Sequence, residues 1–491
     1  MLKAKTRWKI KEAPEQVVQH LQRELPISAL TARLLVQRGI ETKEEAERFL
    51  QPVSAPFFDP FLMDGMDIAV QRIKSALKND ERILIYGDYD ADGVTSTAIM
   101  VYAMRELEAD FMTYIPNRFT EGYGPNEAAF RWAKQQGVHV IVTVDCGIAA
   151  VYEAEVAKDL GMDLIVTDHH EVPPTLPDAY AVVNPKKPGC PYPFKGLSGA
   201  GVAFKLVHAL FGKAPLHLLD FAAIGTVADL VPLKDENRKM VSEGLALLAR
   251  RKKAGINALL DVSGLQAEAL NAEQIGYVIA PRINAAGRLD SADRALKLLT
   301  SVDEEEAKLL AEELNRLNQK RQEIVNEITE EASTLVEEKG LADRVIVVAK
   351  EGWNPGVIGI VASRLVERYD RPAVVFSIDS ESGIAKGSAR SIEAFDIFAG
   401  LSTCRDVLPH FGGHQMAAGL SIDRQHIDEL RNRLNRLAED ILMDEDFIPL
   451  TMVDAVCRIE EITTETIEEM SRLAPFGVDN PIPKILLKHV T

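Results

Sequence analysis

Three aspartates on alternate residues, Asp88, Asp90 and Asp92, follow the run Ile83-Leu84-Ile85-Tyr86-Gly87 and precede Gly93. Like charges this close repel unless a cation neutralises them. The run before them reads as a buried strand, and Val94 onward (Thr95, Ala98, Ile99, Val101, Met104) reads as the next helix. The carboxylates then fall at the C-terminal end of a strand in an α/β unit, where such folds place their ligands. The pattern predicts a metal site. Asp-x-Asp-x-Asp-Gly also opens a calcium-binding EF-hand loop, but that loop needs a bidentate Glu at its twelfth position. Ile99 stands there instead. An acidic solvated turn is the other reading of the motif taken alone.

Three further polar clusters fall at strand ends or on an adjoining helix. Asp145 closes the apolar run His139–Val144, and Asp168-His169-His170 closes Leu164–Thr167. Asp229 lies within the apolar stretch from Ala222 to Val231, where a lone carboxylate is costly unless paired or metal-bound. Asp145 or Asp229 alone could simply cap a helix. Together they point to one site, because parallel strands gather their C-terminal ends. Several carboxylates with one or two imidazoles and no thiolate suit Mn²⁺ or Mg²⁺. Two such ions, about 3.5–4 Å apart, activate a water and steady both the attacking and leaving oxygens of a phosphodiester.

Elements must hold these groups in place, and 491 residues are enough for two to four domains. A hydrophobic content of 46% with 26% charged residues is that of a soluble globular protein. No apolar run is long enough to cross a bilayer, and the N-terminus lacks the apolar core of a signal peptide, so the expected location is the cytoplasm. The four cysteines, Cys146, Cys190, Cys404 and Cys457, are scattered and form no Cys-x-x-Cys pair, which argues against a disulfide framework or structural zinc. A net charge of −18 argues against a nucleic-acid partner. Locally, however, Pro281–Arg294 concentrates arginine and small residues as phosphate-contacting loops do. A basic channel on an acidic body would focus the field there.

The expected fold class is α/β: two α/β domains joined by a long helix and followed by the start of a β-barrel. Residues 1–60 form a helical segment. Residues 61–302 hold a βα alternation, with strands near 82–87, 111–116, 139–144, 162–167 and 180–183, then a more helical region. Residues 303–340 read as one helix, with Leu310, Leu314, Leu317, Ile324, Ile328, Ala332 and Leu335 at helical spacing. A second α/β unit occupies 341–445, and a strand-like segment occupies 446–491.

The spaced motifs Asp88–Gly93, Val144–Gly147, Thr167–Glu171, Gly225–Leu230, Pro281–Arg288, Lys386–Arg390 and Phe411–Gly419 resemble those of the DHH phosphoesterase superfamily. The superfamily is named for the Asp168-His169-His170 triplet, and Phe411–Gly419 resembles the signature of its accessory DHHA1 domain. The resemblance covers essentially the whole chain. It is strongest to the branch of single-strand-specific 5′→3′ DNA exonucleases of repair and recombination, which release 5′-mononucleotides. It implies Asp90, Asp92, Asp145, His169 and Asp229 as ligands of two Mn²⁺ or Mg²⁺ ions. Asp88 is counted with them and, like Asp168, could serve to orient ligands. His170 would contact the scissile phosphate. The loop of Arg282, Asn284 and Arg288 would hold the strand's phosphates, and Arg118, Ser388 and Arg390 would form the pocket for the 5′ end. The turn Gly412-Gly413-His414 would let backbone approach substrate. Ala474–Pro481 resembles the start of an OB-type barrel, a fold that binds single strands by stacking and a basic groove.

The resemblance implies single-stranded DNA as partner, leaves room for a helicase and a single-strand-binding protein, and implies a monomer away from membranes. Two other readings remain open. One is a short-substrate DHH phosphodiesterase acting on nanoRNA or cyclic dinucleotides, although such enzymes lack the N-terminal segment and long connector. The other is a non-catalytic DHH scaffold of replication, although every ligand position is filled here.

Overall fold

The computed structural model describes residues 6–266, 269–338 and 342–488. Two compact units emerge: Lys11–Asn318 with Val453–Thr491, and Met1–Ile10 with Gln319–Met452.

The larger unit is built on a five-stranded parallel sheet of β1 (Arg82–Gly87), β2 (Phe111–Tyr114), β3 (Val138–Val144), β4 (Asp163–Thr167) and β5 (Ala181–Val183), in the order β2-β1-β3-β4-β5. The strand pleat sends Ile83 and Ile85 into one core and Leu84 and Tyr86 into another. A sheet covered on both faces needs apolar residues on both, which is why these strands read as continuous runs.

Helix α1 (Ala91–Glu106) follows β1 and is buried almost throughout, because α2 (Gly199–Phe211) and α3 (Leu219–Ala228) pack around it. It starts three residues before the expected Val94. Asp90 supplies the reason: its Oδ1 accepts from the backbone N–H groups of Asp92 (2.9 Å) and Gly93 (3.0 Å), capping the helix.

The arginine segment expected as a loop is helical. α4 (Ala280–Leu289) carries Arg282, Asn284 and Arg288, and a π-turn over Ile275–Ile279 runs into it. Pro281 lies where the π-turn passes into α4, so the N–H it lacks falls at a change of register in the helix. Helix α5 (Glu304–Glu338) spans 35 residues, as its apolar spacing predicts, and the division between the two units falls within it.

The smaller unit holds a mixed sheet of β6 (Ile346–Glu351), β7 (Ala373–Ile378), β8 (Ile384–Arg390), β9 (His410–His414) and β10 (Ala417–Asp423), in the order β9-β10-β8-β7-β6. Gly412, Gly413 and His414, expected in a turn, lie on the edge strand β9. The turn is the following pair, Gln415 and Met416.

Residues 446–488 show no barrel among the described residues. Leu450–Val453 pairs with Arg7–Ile10, and Ala455–Cys457 pairs in parallel with Ile485–Leu487. Ala455, Cys457, Leu473 and Phe476 share one core with Leu21, Leu34, Leu35 and Ala46 of the N-terminal helices. The two ends of the chain, expected as separate segments, therefore fold together, since neither buries enough apolar surface alone.

Candidate active site

The strand order reverses direction between β1 and β3, the switch point at which open α/β sheets bind ligands. Asp88, Asp90 and Asp92 leave β1 on one side of it, and Asp145 leaves β3 on the other. Asp145 adopts a left-handed backbone conformation (φ 61°), a strained choice for a non-glycine residue of the kind that clusters at functional sites.

His169 lies at the centre of the group. Its Nε2 is 3.0 Å from Asp145 Oδ1, 3.5 Å from Asp229 Oδ2 and 3.8 Å from Asp92 Oδ2. Potential ligand atoms of Asp88, Asp90 and Asp145 also lie within 4.8 Å of one another. Asp88, Asp92, Asp145 and His169 are buried; Asp88 Oδ1 has no hydrogen-bond partner, and His169 Nε2 faces carboxylate oxygens of Asp145, Asp229 and Asp92 without an aligned hydrogen bond to any of them. Buried polar atoms are rarely left this way without an ion or water between them.

The neighbouring groups are fully engaged and serve to orient. Asp92 accepts from the N–H groups of Gly199 (2.7 Å) and Ala200 (2.9 Å) at the start of α2, where the helix dipole favours an anion. A Cβ at Gly199 would collide with the Asp145 carboxylate, so only glycine fits there. Asp168 Oδ2 accepts from Ile148 N (2.9 Å), and its Oδ1 takes His169 N (2.7 Å), His170 N (3.1 Å) and His170 Nδ1 (2.7 Å). With both oxygens so occupied, Asp168 is placed to aim the two histidines. Asp229 is not an N-cap. It ends α3 at the C-terminal side, where the dipole opposes a negative charge and a nearby cation would relieve it.

Charge makes the same point. Burial, followed by repulsion from Asp90, raises Asp92 to about 7, and burial with Asp92 raises Asp229 to about 8. Burial and neighbouring carboxylates hold Asp88 and Asp145 well above the ordinary range. These acids cannot all ionise near neutrality without a cation. Burial lowers His169 to about 3, leaving the neutral imidazole that metals require. Burial also opposes charge on His170, but the Asp168 contact outweighs it and lifts the group to about 9. The donor set is oxygen with one imidazole, which fits Mn²⁺ or Mg²⁺.

The substrate candidates divide. Arg118 stacks over Tyr89 at 5.2 Å, in the same unit as the carboxylates. Asn284 Oδ1 accepts from Ala91 N (2.8 Å), so it braces the aspartate turn through an atom expected to face substrate. Arg282 donates to Asn315 Oδ1 (3.0 Å) and Val278 O (2.7 Å). Ser388 and Arg390 lie together in the smaller unit (Nη1 to Oγ, 3.0 Å) against Gly359 of the helix Ile358–Tyr369. Gly412 has open space where a Cβ would stand, and His414 is exposed.

Sequence reasoning missed Tyr123, whose hydroxyl is 3.3 Å from His170 Nδ1, and Asn184, whose amide donates to His170 O (3.0 Å). Tyr123 had a signal, since it stands between two glycines with positive φ. Asn184 had none.

Comparison with known proteins agrees with this architecture. Residues 82–226 match the DHH family N-terminal domain, and residues 342–440 match the DHHA1 domain. The fold and cluster are thus those of a chain that carries a DHH family domain followed by a DHHA1 domain. The chain is 54% identical over 489 residues to the single-stranded-DNA-specific exonuclease RecJ of Bacillus subtilis, covering 100% of this chain and 62% of that relative. It is 39% identical to RecJ of Dickeya dadantii, covering 94% and 84%. The crystal structure of Thermus thermophilus RecJ in complex with Mn²⁺ superposes with a TM-score of 0.85 at 31% identity, covering 98% of this chain and 69% of that one. The same protein has been crystallised with Mg²⁺. The chain belongs to the RecJ family of single-stranded-DNA-specific exonucleases.

Proposed function

We propose that this chain hydrolyses single-stranded DNA from its 5′ end by metal-activated attack of water, releasing 5′-mononucleotides. The observation that carries the reading is the buried cluster of carboxylates gathered around the His169 imidazole at the switch point of a chain of this family. Asp88, Asp90, Asp92, Asp145, His169 and Asp229 would hold two Mn²⁺ or Mg²⁺ ions. Bound there, the ions would supply an activated water and charge stabilisation on the phosphodiester oxygens. The protein's own groups position the reaction. Asp168 aims His169 at the cluster and keeps His170 protonated, and cationic His170 donates to the scissile phosphate. Arg282, Asn284 and Arg288 would steady the strand, with Asn284 acting partly through the aspartate turn. By the resemblance, Arg118 in the larger unit, and separately Ser388 and Arg390 in the smaller, are candidates to contact the 5′ phosphate, and Gly412, Gly413 and His414 to contact the strand's backbone.

The domain limits 61–302 and 341–445 belong to this reading. So does an OB-type barrel beginning in 446–491, which rests on the resemblance of Ala474–Pro481 alone. Among the described residues no helix is long and apolar enough to cross a membrane. We place the protein in the cytoplasm as a monomer, with single-stranded DNA as substrate and a helicase and single-strand-binding protein as partners in repair and recombination.

A 5′-labelled single strand and a dinucleotide, each incubated with Mn²⁺ and with chelator, test the reading. The label should leave the single strand as a mononucleotide, only with metal, and blunt duplexes should resist. Preference for the dinucleotide would favour the short-substrate phosphodiesterase, and no cleavage of either would favour the scaffold. Release of 3′-terminal nucleotides, or nicking of circular single strands, contradicts the polarity.

Arg288→Ala should weaken DNA binding alike across sequences and reduce the slope of log K against log salt by a fraction of a unit to about one. An unchanged slope with a lowered melting temperature would make Arg288 a structural residue.

A further inference from the structure

The helix Asp235–Leu248 carries two fully buried polar residues side by side, Asn237 and Arg238, that face opposite ways. Asn237 faces the metal centre's supports. Its Nδ2 donates to Gly196 O (2.6 Å) and Pro232 O (3.0 Å). Pro232 lies three residues after Asp229. Gly196 lies just before Ser198, Gly199 and Ala200, the helix start that grips Asp92, and Ser198 Oγ is 3.2 Å from Thr226 Oγ1 on α3. One amide therefore joins the two backbone segments that aim Asp92 and Asp229.

Arg238 faces the chain's ends. Its Nε donates to Phe49 O (2.8 Å), Nη1 to Leu473 O (3.0 Å) and Pro475 O (3.3 Å), and Nη2 to Arg472 O (3.1 Å) and Ala474 O (2.7 Å). The guanidinium also stacks over Phe49 at 3.8 Å. A buried guanidinium satisfied by five carbonyls fixes the chain in that geometry, because losing any of them leaves a buried charged donor unsatisfied. The segment so held returns to the active-site side. Asn480 donates to Leu473 O and Pro475 O (both 2.8 Å), Leu233 N donates to Val478 O (2.9 Å), and a Cβ at Gly477 would come within 2.7 Å of Leu233 Cδ1. Leu233 is four residues beyond Asp229.

We propose that Asn237 is a positioning residue of the metal centre and that Arg472–Pro481, fastened by Arg238, is the brace behind it. Asn237 touches no reacting group. It acts by fixing the distance between Asp92 and Asp229, as outer supports of metal ligands do. The inference rests on the metal-centre reading above.

Calorimetric titration of the metal-free protein with Mn²⁺, beside kcat, KM and melting temperature, tests it. Asn237→Ala should weaken Mn²⁺ binding about 10–100-fold and lower kcat, while KM for a single strand stays within about twofold. Gly477→Ala presses only on Leu233 and should show the same pattern more mildly, with melting temperature nearly unchanged. Absence of Mn²⁺ binding by the parent protein would overturn the metal centre itself. Parent-like Mn²⁺ affinity in folded Asn237→Ala, or in Gly477→Ala if the first variant does not fold, would overturn this inference alone.

Discussion

Asp145→Asn should lower kcat at least about 10³-fold, equivalent to about 4 kcal/mol of barrier, while the metal-free protein melts no lower than its parent. Asparagine has the shape of aspartate and tolerates the left-handed backbone at φ 61°. It also clears Gly199, against which the present carboxylate is packed. What it removes is an ionisable group that burial and the neighbouring carboxylates of Asp92, Asp90, Asp88 and Asp229 hold well above the ordinary range. Without metal that group must either stay protonated or repel its neighbours, so an amide spares the fold that cost. With metal, the charge is a ligand and its loss is felt in the reaction. Activity and stability should therefore move in opposite directions, which a merely structural role for Asp145 cannot produce. Asp145→Ala should lose as much activity but also some stability, because alanine is strained at this φ. Activity within tenfold of the parent in metal-depleted Asp145→Asn would sink the two-metal mechanism.

The reason Asp145 could be found in the sequence is local. Strands of a parallel sheet buried on both faces read as continuous apolar runs, so Val144 marks a strand end and Asp145 falls at the ligand-binding edge. The same holds for Asp88–Asp92 and Asp168–His170, and the length of α5 follows from its apolar spacing. Other features depend on contacts far apart in the chain. Asp92 is held by Gly199 across 107 residues, which no motif near Asp92 announces. Asn284 reads as a phosphate ligand, because nothing in Pro281–Arg288 says that Ala91 N will claim its oxygen. The arginines and small residues of Pro281–Arg294 suggested a loop, yet Ala280–Leu289 is helical, and a Cβ at Gly287 would meet Tyr89 O. The glycine there permits close packing rather than a turn. The C-terminal segment was legible only in part. Its strand-like stretches do form the short strands Leu450–Val453, Ala455–Cys457 and Ile485–Leu487, but only the N-terminal helices decide where the last two are buried.

Metal removal should make the fold sensitive to rising pH, and Mn²⁺ should cancel most of that sensitivity. The folded, metal-free chain holds protons on Asp92 up to about 7 and on Asp229 up to about 8, whereas the unfolded chain releases them near the ordinary aspartate value. Between those limits the folded state binds more protons, so stability falls as pH rises through the window from about 4 to about 8. His170, raised to about 9, adds a loss of the same sign above about 6.5. From pH 6 to pH 8.5 the carboxylates alone should cost a few kcal/mol, on the order of 1.4 for each pH unit over which one extra proton is held. That corresponds to a drop of about 5 °C in melting temperature in the presence of chelator. Saturating Mn²⁺ offsets the carboxylate share, since an ion at a hundred times its dissociation constant contributes about 2.7 kcal/mol and binds the ionised acids preferentially. The Mn²⁺-induced rise should thus be larger at pH 8.5 than at pH 6, and Asp145→Asn should shrink the difference. A metal-free melting temperature that stays flat or climbs between pH 6 and pH 8.5 would mean that the buried acids are not mutually repelling. The cluster would then not need a cation to ionise.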